Sequence, residues 1–69
     1  MKHPFITAAR EAVPGISNAE IARRITVSKQ AVGRGEFSAS RAVAAWNALA
    51  EVKGHPVLVY VAAVVRVVR

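Results

Sequence analysis

Residues 17–34 read SNAEIARRITVSKQAVGR, and this stretch decides the fold. Ser17-Asn18-Ala19-Glu20 has the form of a capping box, in which the serine hydroxyl accepts from the N–H three residues on and the glutamate reaches back. Ile16 and Ile21 stand where a hydrophobic staple would clamp the entry. Ile21, Ala22 and Ile25 then recur on one helical face, so a helix is expected over residues 18–25. Thr26-Val27-Ser28 is a turn, and Ser28 is a good N-cap for the next helix. Beyond it Ala31 and Val32 face inward, while Lys29, Gln30 and Arg34 face out. Gly33 and Gly35 are each about 1 kcal/mol poorer than alanine in a helix. This second helix is therefore short and expected to end near Arg34.

Working outward, Pro4 suits a first helical position, where its missing N–H costs nothing. Phe5, Ala8, Ala9, Ala12 and Val13 follow at helical spacing, and Pro14-Gly15 ends the run. A helix is expected over residues 4–13. On the other side, Ser38 or Ser40 caps a further helix that Gly54 stops. Ala42, Val43, Ala45, Trp46, Leu49 and Ala50 supply its apolar face, and Phe37 anchors its entry. Trp46 at this spacing is a core residue rather than a ligand platform.

The last segment, residues 56–69, admits two readings. Seven of its fourteen residues are valine, which favours a strand by propensity. As a helix, His55, Val59, Ala62, Arg66 and Arg69 share one side, while Val57, Val61, Val64 and Val68 share the other. Pro56 suits a helix start, and Arg66 and Arg69 suit a helix C-terminus. A strand would be apolar on both faces, so the helix is favoured. The expected fold class is all-α: one compact domain of four to five helices, with a strand at residues 56–69 as the alternative.

Composition bounds the function. A chain of 69 residues buries only about 60% of the surface its unfolded form exposes. Domains this small usually need a disulfide, a metal or a partner chain. Cysteine is absent, which removes disulfides and thiolate metal sites and fits a reducing cytoplasm. His3 and His55 are too far apart in sequence to read as a metal pair. A partner chain remains. Ten lysines and arginines against four acidic residues give a net charge of +6, which suggests nucleic acid or an acidic membrane surface. The longest uncharged apolar run, residues 56–65, falls short of the roughly 20 residues a spanning helix needs. The N-terminus has no apolar run of signal-peptide type. A cytoplasmic protein is expected.

Two short helices joined by a turn of three or four residues form a DNA-reading unit. Its second helix enters the major groove and presents N-terminal side chains to base edges. The unit needs a small residue at the crossing, met by Ala22, and an apolar interior, met by Ile25, Val27 and Val32. Residues 18–37, NAEIARRITVSKQAVGRGEF, resemble the helix-turn-helix of the lambda-repressor and Cro family of phage regulators, and VSKQAV is the most family-like run. The resemblance extends more loosely over about fifty residues. It implies an all-helical fold and a transcriptional repressor that binds a palindromic operator as a dimer. It also implies that Ser28, Lys29, Gln30 and Arg34 contact bases or nearby phosphates, and that Asn18 contacts phosphate. Two positions depart from the family. Thr26 stands where the family usually has glycine; a left-handed residue there would be strained as threonine, so the turn is expected to differ in detail. Gly35 stands where a bulky residue is common.

Gln30 has the chemistry for two hydrogen bonds to adenine and Arg34 for two to guanine. Lys29 suits phosphate as well as a base, and Ser28 as a cap still presents its hydroxyl and helix-end amides to phosphate. Arg23, Arg24 and Arg41 are candidate phosphate contacts, although each also reads as an ordinary solvated cation. Val57, Tyr60, Val61, Val64 and Val68 are the candidate dimerisation residues. The partners expected are double-stranded DNA and a second copy of the chain, with no membrane, small-molecule ligand, metal or cofactor. An enzyme is not expected, because no nucleophile with an adjacent base is evident. Two other classes remain: a protein-interaction module, such as an antitoxin or phage accessory factor, and a membrane-surface protein using its apolar tail.

Overall fold

A computed structural model describes residues 3–62 and 64–68. The element order is α1 (Pro4–Ala12), α2 (Asn18–Ile25), α3 (Lys29–Arg34), α4 (Ala39–Lys53), β1 (Val57–Val61) and β2 (Val64–Val68). Side chains cap all four helix starts. The Ser17 hydroxyl accepts from Glu20 N–H, Ser28 from Ala31 N–H and Ser38 from Arg41 N–H. At α1 the cap is His3, whose Nδ1 accepts from Phe5 N–H at 3.2 Å. Each cap satisfies a helix-end N–H that lacks an intrahelical partner. Only half of the capping box at α2 forms, because the Glu20 carboxylate turns to Arg23 and Arg24 instead of reaching back.

The expectation of an all-α fold is corrected at the C-terminal segment. Instead of a helix, β1 and β2 form a two-stranded antiparallel sheet, so the described residues combine four helices with a hairpin. Val57 pairs with Val68, Leu58 with Val67, Val59 with Arg66, Tyr60 with Val65, and Val61 with Val64. The objection to a strand was that both its faces are apolar. The hairpin meets it by burying one face and leaving the other uncovered within the chain. Leu58 and Val65 are buried and Val67 packs against the core. The opposite face carries Val57, Val59, Val61, Val64, Arg66 and Val68. β-Branched residues suit this pleated, half-buried surface better than a helix, where their χ1 freedom is restricted. Arg69, which the helix reading used as a C-terminal charge, lies outside the described residues.

The core lies where α1, α2, α4 and the hairpin's inner face meet. Phe5, Ile21, Trp46 and Leu58 are its largest fully buried side chains. The Trp46 ring meets Phe5 edge-on at 5.9 Å between centroids, and its indole N–H donates to the Pro56 carbonyl at 3.3 Å. Leu49, expected on the buried face of α4, is instead 37% exposed. Leu58 takes the central place that Leu49 was expected to share. Among the described residues, no helix is long and apolar enough to cross a membrane.

Candidate nucleic-acid interface

The α2–α3 unit is held by its turn. Thr26 closes α2 in the left-handed conformation, φ 57° and ψ 40°, with its own N–H donating to the Ala22 carbonyl. The expectation that threonine would alter this turn is therefore corrected: the backbone adopts the left-handed cap despite the β-branch. The Thr26 hydroxyl donates to the Ile25 carbonyl at 2.7 Å, and the strain is retained locally. Gly35 closes α3 in the same way, with φ 70°. Its glycine is explained by that conformation.

With the turn fixed, the sides of α3 are determined. Val32 is buried and Ala31 is half-buried against the rest of the domain, while Ser28, Lys29, Gln30, Gly33 and Arg34 are exposed. These residues form one continuous outward surface, since positions three and four apart neighbour each other on a helix. The four residues expected to read bases are thus brought together.

The expected phosphate contacts separate into different environments. Asn18 opens α2, and its Oδ1 accepts a hydrogen bond from the Arg10 guanidinium at 3.0 Å. Arg23 is exposed beside Glu20. Arg24 is turned inward, its side chain 10% exposed. Its guanidinium stacks 4.8 Å from the centre of the Trp46 ring and pairs with Glu20, so it braces α2 against α4. The Arg24 hydrogen bond, aided by the charge of Arg23, holds the Glu20 carboxyl below its ordinary value against the opposing effect of desolvation. Arg41 lies elsewhere, in a hollow of about 360 Å³ with Glu36 and Ser38 between the turn and α4.

Sequence reading missed Arg10. It lines a second cleft, of about 390 Å³, between α1 and α3, together with Thr7, Glu11, Asn18, Gly33 and Arg34. The available signal was an exposed cation on α1, but its place beside Asn18 depends on how α1 packs in the domain, chiefly against β2. His3 joins this region to the connection between α3 and α4: its Nε2 lies 3.2 Å from the Phe37 carbonyl, and its ring stacks on Phe37 at 4.2 Å.

The candidate dimerisation residues also divide. Val57, Val61, Val64 and Val68 share the hairpin's outer face, whereas Tyr60 belongs by register to the opposite face beside Val65, where it is nonetheless 41% exposed. Val59, assigned to the other side in the helical reading, joins the outer face. Val59, Val61, Val64 and Val68 are 39%, 52%, 48% and 47% exposed.

Comparison with protein-family models, curated proteins and solved structures finds no match.

Proposed function

We propose that this protein is a sequence-reading, double-stranded-DNA-binding regulator of the helix-turn-helix kind, similar in plan to the lambda-repressor and Cro regulators of phages. The observation that carries the reading is the exposed surface of Ser28, Lys29, Gln30, Gly33 and Arg34 on a short helix braced by α2. A helix seated in the major groove presents side chains in this way. The net charge of +6 supports an anionic partner.

The protein acts as a homodimer on a two-fold operator, repressing transcription in the cytoplasm. The exposed valines of the hairpin support this part of the reading, because a contiguous apolar patch commonly marks an interface. Two recognition helices on a two-fold site also require two copies. The same valine face favours the second reading, a protein-interaction module that uses this fold without reading DNA.

Fluorescence anisotropy on labelled duplexes across a salt series tests the proposal. If a dimer neutralises about 6–8 phosphates, log K falls against log salt with a slope of about −5 to −7. A flat salt response, or no duplex binding at about 50 mM salt, leaves the interaction-module reading in its place.

A further inference from the structure

Three glycines have a backbone reason to be glycine. Gly15, Gly35 and Gly54 have φ of +83°, +70° and +72°, a region that L side chains rarely adopt. Gly33 does not share that reason. It lies within the six-residue helix α3 and outside the positive-φ set. An added Cβ there would meet nothing within 4 Å. Neither backbone conformation nor packing inside the chain requires glycine at this position. Apart from proline it is the poorest helix former, in a helix with little length to spare.

Gly33 lies on the outward surface, four residues after Lys29 and three after Gln30. It also lines the 390 Å³ cleft between α1 and α3. Arg10 and Arg34 supply the cleft's positive charge, and Glu11 is the acid among the described residues that line it. Arg10 is steadied by its hydrogen bond to Asn18.

We infer that Gly33 keeps this cleft open for the sugar–phosphate backbone of one DNA strand, with Arg10 and Arg34 as its cationic contacts, so that Arg34 serves phosphate rather than guanine; this rests on the DNA-binding reading above. Guanidinium groups donate charge-assisted hydrogen bonds to phosphate oxygens. The missing side chain lets the bulky backbone approach α3 closely. Contacts of this kind position a protein on the duplex without reading its sequence. Glu11 opposes the same phosphate charge.

Gly33→Ala separates this role from a merely weak helix position, because its effects on stability and binding have opposite signs. The melting temperature should rise by a few degrees. Affinity should fall about tenfold on both a duplex selected from a random library and a scrambled one, as for a backbone contact. Arg10→Ala should lower the magnitude of the salt slope by about 1, and Glu11→Gln should strengthen binding to both duplexes. Unchanged affinity of Gly33→Ala on both duplexes overturns the inference while the DNA-binding reading stands. A loss confined to the selected duplex puts base edges at Gly33 and overturns the backbone assignment. Absence of duplex binding by the wild-type protein removes the DNA-binding reading and this inference together.

Discussion

Asn47 of α4 brackets Leu58 of β1. Its Nδ2 donates to the Leu58 carbonyl at 2.7 Å, and its Oδ1 accepts from the Leu58 N–H at 2.8 Å. The amide pairs with one residue of the strand much as a neighbouring strand would. Since these groups of Leu58 point away from β2, Asn47 both docks the hairpin on α4 and covers part of β1's outer edge. Asn47→Ala leaves a part-buried donor and acceptor without these bonds and should destabilise the fold by about 2 kcal/mol. Asn47→Asp should be worse, since a carboxylate cannot donate to the Leu58 carbonyl. Urea denaturation measures both; a midpoint within error of wild type for Asn47→Ala contradicts the docking role.

Among the described residues, two other than glycine have positive φ: Thr26 at 57° and Ala62 at 52°. The left-handed region costs an L-residue roughly 1–2 kcal/mol, partly offset by the greater unfolded-state entropy of glycine. Ala62→Gly should therefore stabilise the protein by about 0.5–1 kcal/mol. Thr26→Gly should gain less, because it also removes the hydroxyl bond to Ile25. The ranking is checked by thermal denaturation of the two variants side by side.

Acid should weaken the brace between α2 and α4. The folded Glu20 carboxyl is held below its usual value of 4.5, chiefly by Arg24. A carboxylate depressed in the folded state contributes stability above its unfolded pKa and loses it as pH falls through the folded value. Glu20→Gln should therefore be less stable than wild type near neutrality, and the difference should shrink below about pH 4.5. A gap in melting temperature that stays constant down to about pH 3 argues against this linkage.

If the protein binds DNA as proposed, base reading and backbone contact are separable on the α2–α3 unit. Gln30→Ala should lose about 1–3 kcal/mol of discrimination between a selected and a scrambled duplex, with little change on the scrambled one. Arg23→Ala should weaken both duplexes about equally. Equal losses on the two duplexes for Gln30→Ala would remove Gln30 from the base-reading set.

The hairpin's outer face should hold the dimer. Val64 is 48% exposed, so Val64→Asp should leave the core intact while placing a charge in the apolar patch. Val68→Asp tests the same face at its other end, where the cross-strand neighbour is Val57. Both should shift the protein towards monomer and weaken operator binding more than non-specific binding. Analytical ultracentrifugation at micromolar concentration decides the matter: a wild-type chain that is monomeric alone and on DNA refutes the proposal.

The four helices were legible because their signals are local. Ser17, Ser28 and Ser38 cap starts within three residues of the N–H groups they serve, and Gly35 and Gly54 stop helices by backbone geometry alone. The alternation of Ile21, Ala22 and Ile25 with charged neighbours likewise needs no distant partner. The exposure of Lys29, Gln30 and Arg34 followed from helical periodicity. The tail was not legible in this way. A helix over residues 56–69 would gather Arg66 and Arg69 on one side and a strand would be apolar on both, so the pattern favours the helix, yet the outcome depends on what each face meets. Along its edge β1 finds Asn47 and inward the core beside Trp46; outward, Val59, Val61, Val64, Arg66 and Val68 stay exposed. Nor could Arg23 and Arg24 be told apart as adjacent cations. Only the placement of Trp46 on α4 draws Arg24 inward, and only the packing of α1 brings Arg10 to Asn18. Local hydrogen-bond closure determined the helices and the exposed side of α3, whereas contacts between residues distant in sequence decided the hairpin, the brace and the cleft.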